Sequence, residues 1–222
     1  MIPLRALIRS LSRPSVTILL IAANTLVFLY MISLDDYTLN HFIRQYAMVP
    51  SRLHLSTIVT MMFLHGGWMH LIGNMWFLWV FGDNVEDVLG HGKYLLFYLL
   101  CGVIAAIAQY AISPDSRVPV LGASGAIAGV MGAYLVKFPN SRILTLLPLF
   151  VFFTSVEMPA WLILVYWFVL QFFSGLGSIG YSQASAGGVA FFAHVGGFIA
   201  GMVLVSVMPA RQRYSRRADL NW

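Results

Sequence analysis

Four polar residues interrupt apolar runs that are long enough to cross a lipid bilayer. They are Ser124, His194, His70 and Asn74. A serine costs little at such a position, but histidine and asparagine inside a membrane are expensive, and groups of this kind usually serve a function there. The pattern therefore indicates a chemical site within the membrane.

Ser124 and His194 are the pair with the most direct chemistry. Serine is a weak nucleophile until a base removes its proton, and histidine is the usual base. The two side chains can meet if the helices that carry them pack closely, and both segments contain small residues that allow this. These are Gly125, Gly129 and Gly132 after the serine, and Gly197 and Gly201, in a GxxxG pattern, after the histidine.

His70 and Asn74 are spaced to act together. They are four residues apart, so a helix presents them on one face. Side-chain N–H groups there can stabilise a developing oxyanion together with the backbone N–H of Ser124. His65, just before the Gly66-Gly67 turn, is interpreted instead as a structural contact of the loop.

The composition is that of a polytopic membrane protein. Of 222 residues, 59% are hydrophobic and only 9% are charged, whereas soluble domains have about 25% charged residues. The net charge of +5 is interpreted as a topology signal and not as nucleic-acid binding. The single cysteine, Cys101, excludes an internal disulfide and is expected to be a packing residue.

Six apolar stretches are candidate spans, because a spanning helix needs about 20 apolar residues. They cover about residues 15–34, 69–83, 93–112, 122–136, 157–174 and 190–208. The mixed segment 35–68 is expected to lie at the membrane interface, and the segment 175–189, which is rich in Gly and Ser, is expected to be a mobile loop.

The basic residues predict the orientation of these spans. Ten of the 13 fall on one side of the predicted membrane, and only Arg44, Arg52 and Arg117 fall on the other. By the positive-inside rule, both termini are then cytoplasmic. The second, fourth and sixth spans would all run from outside to inside.

The polar residues of these three spans have similar predicted depths. Ser124 lies 13 residues before Lys137, and His70 lies 13 residues before Asp83. At ~1.5 Å per residue, each lies roughly 20 Å from the inner edge. His194 lies 15 residues before Pro209. A helix that begins below the outer surface leaves backbone N–H groups unpaired, so a water-filled cavity is expected there.

Three other functions compete with a serine-based enzyme. A zinc site could use His65, His70 and His194, but the sequence has no HExxH motif and no buried carboxylate to act as base. A transporter would be expected to have buried acidic residues and two repeated halves, which are missing. A non-catalytic membrane adaptor is the third alternative, and a serine-reactive probe would distinguish it from an enzyme.

Three short motifs in order resemble the rhomboid family of intramembrane serine proteases. They are His70-Leu-Ile-Gly-Asn74, Gly122-Ala-Ser124-Gly125 and Ala193-His194-Val-Gly-Gly197, on the second, fourth and sixth spans. The resemblance covers about residues 15–208. It implies that Ser124 is the nucleophile, that His194 is the general base, and that His70, Asn74 and the Ser124 N–H form the oxyanion hole.

The resemblance also implies an architecture. We expect an all-α, six-transmembrane-helix bundle over 15–208, a cytoplasmic tail over 1–14 and a basic cytoplasmic tail over 209–222. Segment 35–68 would be the family's membrane-embedded loop, and the fifth span with 175–189 would be the gate. Some relatives have a tyrosine that stacks on the catalytic histidine, but this chain has Ala128 there. His194 must then be oriented by another residue, which the sequence does not identify. No acidic residue lies at the right predicted depth to do so, and a dyad is therefore predicted in place of a triad.

The sequence thus predicts an intramembrane serine endopeptidase that cuts single-pass membrane proteins near the external end of their spanning helix. The expected partners are these transmembrane substrates and the lipid bilayer, with no nucleic acid, and the oligomeric state is left open. No metal or other cofactor is implied. The short termini favour a bacterial plasma membrane.

Overall fold

The computed structural model describes residues 1–149, 152–178 and 190–211, and the chain is mostly helical. The α-helices in these ranges are α1 Ser15–Ile32, α2 Asp36–Tyr46, α3 Thr57–Thr60, α4 Trp68–Leu89, α5 His91–Ile112, α6 Ser124–Lys137, α7 Ala160–Ser178 and α8 Phe191–Val207. Two short 3-10 helices, Pro50–Arg52 and Met61–Phe63, lie between α2 and α4.

Three of these helices, α1, α5 and α7, are long and apolar enough to cross a membrane. Helices α6 and α8 are apolar but shorter, and α4 has 22 residues with acidic groups in its last turns. Each of the six predicted spans overlaps one of these helices. By length and composition, however, the structure supports three spans and leaves the count of six as a prediction.

Two predicted boundaries differ from the observed ones for physical reasons. The second span was predicted to end at Asp83, but α4 continues to Leu89 because the carboxylates of its last turns are buried against neighbouring chain. The fourth was predicted to begin at Gly122, but α6 begins at Ser124. The φ of +121° at Gly122 is incompatible with a right-handed helix.

A three-stranded antiparallel sheet is the element that the all-α prediction lacks. Its strands are β1 Ile2–Ala6, β2 Arg142–Leu149 and β3 Phe152–Pro159, in the order β1-β2-β3. Ile2 is opposite Leu146, and Arg142 is opposite Pro159. The sheet joins the end of α6 to the start of α7. The Nε1 of Trp76 donates a hydrogen bond of 2.5 Å to the carbonyl of Pro3 and so fastens β1 to α4.

The closest packing in the bundle is between α6 and α8. A Cβ atom added to Gly197 would overlap the carbonyl of Gly125, and one added to Gly201 would overlap the carbonyl of Gly129. Helix α5 closes the other side of α6, where Cys101 packs against Gly129. Small residues therefore allow these helices to approach backbone to backbone, as at membrane helix interfaces generally.

The C-terminal end of α4 is fastened to the beginning of α1 by a buried carboxylate. The expectation that the chain has no buried carboxylate was wrong, because Glu86 is fully buried. It accepts hydrogen bonds from the backbone N–H groups of Val16 and Thr17, at 2.9 and 2.8 Å. It also accepts one from the hydroxyl of Thr17, at 2.7 Å. A negative charge at a helix N-terminus pairs with exposed N–H groups and with the helix dipole. Glu86 therefore caps α1 from another helix.

The segment between α1 and α4 fixes the chain that leads into α6. Met48 and Val120 exchange two backbone hydrogen bonds, at 3.0 and 2.8 Å. Closer to the helix, the N–H of Gly122 donates to the carbonyl of Met61 at 2.9 Å. These bonds determine where α6 begins, and therefore where Ser124 lies.

His65 is buried in this segment and packs its ring edge against His70, with ring centroids 5.1 Å apart. Neither ring nitrogen of His65 has a hydrogen-bond partner among the described residues. Burial, with a smaller contribution from His70, lowers the pKa of His65 from 6.5 to about 4. His65 is therefore neutral near pH 7 and packs as an uncharged ring.

We predict that Gly201→Ala destabilises the protein by about 1–3 kcal/mol, because the added methyl group meets backbone and the helices must separate. Unfolding in mixed micelles at increasing denaturant would measure this. Gly92→Ala is the matched control, since a Cβ there has no atom within 4 Å. Equal stability of the two variants would contradict the close α6–α8 packing.

We predict that stability falls on acidification partly through His65. Between about pH 6.5 and pH 4 the unfolded chain binds a proton at this site that the folded protein does not. The free energy of unfolding therefore rises with pH in this window, by at most about 1.4 kcal/mol per pH unit. This contribution of His65 is lost as the pH falls through the window. His65→Gln should reduce the drop in unfolding temperature between pH 7 and pH 5. His41→Gln, at an exposed position, should keep this drop unchanged. The same drop in the wild type and in both variants would refute the assignment of the effect to His65.

Candidate active site

Ser124 and His194 meet at the start of their helices. Ser124 is the first residue of α6, and His194 lies in the first turn of α8. The Nε2 of His194 is 2.7 Å from the Oγ of Ser124, and both side chains are half-buried. The packing of α6 on α8 brings these two residues, 70 positions apart, within hydrogen-bond distance.

The other ring nitrogen of His194 has a partner that the sequence analysis missed. Its Nδ1 is 2.7 Å from the Oε1 of Gln171, in α7. An amide oxygen only accepts hydrogen bonds, so Nδ1 carries the proton and the Nε2 lone pair points at the serine hydroxyl. This is the tautomer that a general base needs. A glutamine inside the fifth apolar stretch was the signal that could have identified it.

Aromatic packing beside His194 also comes from α7. The ring centroid of Trp167 lies 5.9 Å from that of the His194 imidazole, and the two ring planes are inclined at 39°. Ala128, where some relatives have tyrosine, is buried in α6. The imidazole of His194 is therefore contacted from α7 by Gln171 and by the tilted ring of Trp167.

His70 and Asn74 converge on the same point in front of Ser124. A Cβ atom on Gly122 would lie 2.7 Å from the Nε2 of His70 and 3.7 Å from the Nδ2 of Asn74. Gly122 has a φ of +121°, in the region that favours glycine, so both the backbone and the neighbouring ring exclude a side chain here. The two nitrogens thus face one space beside the nucleophile.

Both nitrogens can act as donors. The N–H of Gly66 donates to the Nδ1 of His70 at 3.4 Å, which leaves the proton of the neutral ring on Nε2. The Nδ2 of Asn74 is buried and has no hydrogen-bond partner among the described residues. The backbone N–H of Ser124 is a further donor, since the first N–H groups of a helix have no partner inside the helix. Together they can bind an oxyanion.

A cavity of about 970 Å³ contains all of these groups. Its lining includes Ser124, His194, His70, Asn74 and Gln171. The volume falls within the range of pockets that enclose small molecules or peptide segments. The four residues singled out from the sequence are therefore brought together in one cavity.

A second amide supports the start of α8. The Oε1 of Gln109, a buried residue of α5, accepts a hydrogen bond of 3.2 Å from the backbone N–H of Ala193. The N–H groups of the first helical turn need partners from outside the helix. Gln109 supplies one of these next to His194. Like Gln171, it is a neutral amide inside a predicted apolar span and was not among the predicted site residues.

The other predicted site residues divide into two groups. Gly125, Gly129, Gly197 and Gly201 form the α6–α8 contact, and Gly122 borders the cavity. Of the predicted loop 175–189, residues 175–178 belong to α7 and the remainder lies outside the described residues. Within the described ranges, no three His, Cys, Asp or Glu side chains are grouped as metal ligands would be, so the histidines proposed for zinc do not form such a group.

Comparison with known proteins gives consistent matches. The Rhomboid domain family matches residues 52–211. Presenilin-associated rhomboid-like protein, mitochondrial, of Homo sapiens is 34% identical over 138 residues, or 60% of this chain and 36% of that protein. Rhomboid-like protein 11, chloroplastic, of Arabidopsis thaliana is 32% identical over 191 residues, or 82% and 65%. Rhomboid protease GluP of Bacillus subtilis is 41% identical over 85 residues, or 38% and 16%.

The match spans about a third of the length of the mitochondrial relatives. The family match, in contrast, covers well over half of this chain and contains all three motifs of the site. With its apolar helices, it identifies an integral membrane protein. The chain therefore belongs to the rhomboid family.

Proposed function

We propose that this protein is an intramembrane serine endopeptidase in which Ser124 is the nucleophile and His194 is the general base. The observation that carries this proposal is the 2.7 Å contact between Ser124 Oγ and His194 Nε2, in a cavity where two further N–H donors converge. Family membership supports it, and two Bacillus subtilis relatives are named as a rhomboid protease and a putative rhomboid protease.

In the first half of the reaction, Ser124 Oγ attacks the carbonyl carbon of the scissile peptide bond while His194 Nε2 takes the hydroxyl proton. The carbonyl oxygen becomes an oxyanion and accepts hydrogen bonds from the Ser124 N–H, His70 Nε2 and Asn74 Nδ2. Donors fixed in place before the reaction stabilise this charge without reorganisation. The imidazolium then gives its proton to the leaving amine, and the acyl-enzyme remains.

The second half regenerates the enzyme. A water molecule in the cavity attacks the acyl carbon, and His194 accepts one of its protons. The oxyanion forms again at the same donors. Collapse of this intermediate releases the carboxylic acid product, and the proton held on His194 returns to Ser124 Oγ. The same base thus serves both half-reactions.

The proposed substrate is a transmembrane segment of a single-pass membrane protein, and the proposed architecture has six spans. A helical substrate has to reach the cavity sideways from lipid, so one element has to yield. Helix α7 is the candidate gate, because only 22% of its apolar stretch is buried, against 39% for α5. It packs mainly on α8 and leaves large side chains such as Phe173 exposed.

We also propose that both termini are cytoplasmic and that the cavity opens toward the outside, from the ten-to-three division of basic residues. The compartment is a separate question. The relatives have mitochondrial and chloroplastic names as well as bacterial sources, so the comparisons do not favour a bacterial plasma membrane.

We predict that Ser124→Ala and His194→Ala each abolish cleavage of a transmembrane substrate, and that the double variant is no worse than either. The measurement is product formation after reconstitution in vesicles. Ser206→Ala and His41→Ala, at exposed positions, are the matched controls. A fluorophosphonate probe should label the wild type and not Ser124→Ala. Absence of labelling in the folded wild type would favour a non-catalytic adaptor.

We predict that Asn74→Ala lowers kcat by about 10²–10³-fold at most, with KM little changed and residual activity left. The activity that is left comes from the remaining donors, His70 and the Ser124 N–H. Asn24→Ala is the control, because Asn24 is also a buried asparagine of an apolar helix but donates to the carbonyl of Leu20. If Asn74→Ala reduced only the unfolding temperature, with kcat per folded molecule intact, the amide would be an interhelical contact and not an oxyanion donor.

We predict that a cysteine at position 182 is labelled by an impermeant thiol reagent from the outside, and one at position 215 only from the cytoplasmic side. The background is Cys101→Ser, which removes the native thiol. Ser51→Cys, at an exposed position between α1 and α4, should behave like position 182. Labelling of positions 51 and 182 from the cytoplasm alone would reverse the proposed orientation.

A further inference from the structure

The contact between Gln171 and His194 joins the catalytic base to the proposed gate. Gln171 Oε1 is 2.7 Å from His194 Nδ1, and Gln171 belongs to α7, whereas the other groups of the site come from α4, α6 and α8. We propose that Gln171 is a positioning residue that makes the orientation of His194 depend on how α7 is seated against α8. This inference rests on the proposed function.

The imidazole depends on this contact because little else in the described structure fixes its rotation. Its Nε2 contacts the serine that it must activate, and that bond is consumed in the reaction. One turn after Ser124, the residue is Ala128, whose methyl group offers no hydrogen bond. Trp167, the adjacent ring, also belongs to α7. Both contacts that orient the base therefore come from one helix.

Helix α7 is seated on α8 by a small apolar interface. The ring centroid of Phe168 lies 4.9 Å from that of Phe198, and the ring centroid of Trp167 lies 6.0 Å from that of Phe198. Near the end of α7, a Cβ atom on Gly175 would lie 3.2 Å from the Cβ of Phe191. A displacement of α7 that opens a lateral path would separate these pairs and withdraw Gln171 from His194. The open state would then lack an oriented base, and activity would return only when α7 closes on the substrate.

Two substitutions of similar size separate the hydrogen bond from the packing of Gln171. Gln171→Met keeps the volume and removes the acceptor oxygen, so kcat should fall about tenfold with KM little changed. Gln171→Glu keeps an acceptor oxygen in either protonation state and should retain most of kcat. Ser174→Ala, which removes a polar group from an exposed position of α7, is the matched control and should match the wild type.

Labelling of Ser124 by a fluorophosphonate measures the state of the base without requiring a helical substrate. The labelling rate of Gln171→Met should fall in parallel with kcat, while its unfolding temperature stays at that of Gln171→Glu. Loss of activity in both variants, or full labelling of Gln171→Met, would overturn the inference while leaving the serine protease intact. A folded wild type without labelling would overturn the proposed function itself, and the inference with it.

A reversible cross-link tests the dependence on α7. Cysteines at positions 175 and 191, in a Cys101→Ser background, are close to the 3.5–4.5 Å Cβ–Cβ separation of disulfides. The oxidised form should keep probe labelling at the rate of its reduced form and lose cleavage of transmembrane substrates, which reductant should restore. Loss of labelling on oxidation, or full cleavage in a verified cross-linked form, would contradict the coupling.

Discussion

The backbone contact between α6 and α8 determines the geometry of the whole site. Ser124 comes one residue before Gly125, and His194 three residues before Gly197, so the two reactive atoms lie within one turn of the point where the helices touch. A contact made by backbone has almost no rotational freedom, unlike one made by long side chains. The 2.7 Å separation is therefore a property of helix packing, and the cavity forms on the side where α4 and α7 complete the wall.

The other groups of the site differ in the contacts that hold them in place. His70 is restrained by the Gly66 N–H and by the ring of His65, and the chain before Ser124 is restrained by the Met48–Val120 and Gly122–Met61 bonds. Gln109 supports the first turn of α8. The proposed oxyanion donors are thus held by neighbouring backbone and side chains, whereas Gln171, which contacts His194, lies on α7. In the proposed mechanism, stabilisation of charge and orientation of the base therefore depend on different helices, and the helix that orients the base is the least buried candidate span.

The sequence could predict the helices and the residues that meet, because both depend on local patterns. Apolar length indicates a helix, and small residues next to Ser124 and His194 indicate close packing. It could not predict the sheet, because β1 and β2 pair across more than a hundred residues, and neither strand has a turn signal that joins it to the other. Gln171 and Gln109 were missed although each interrupts an apolar helix as Asn74 does. A neutral amide is a weaker sequence signal of a functional site than a histidine. Its hydrogen-bond partner also depends on which face of the helix it occupies.

The capping of α1 by Glu86 has a consequence for biosynthesis. Thr17 and Glu86 are 69 residues apart, and the chain is made from its N-terminus. At ~5–20 residues per second, the ribosome needs roughly 3–14 seconds between the two. During that interval the first N–H groups of α1 need other hydrogen-bond partners, such as water. The N-terminal end of α1 therefore gains its cap only after α2, α3 and most of α4 have been synthesised, so this helix and its cap are made at different times.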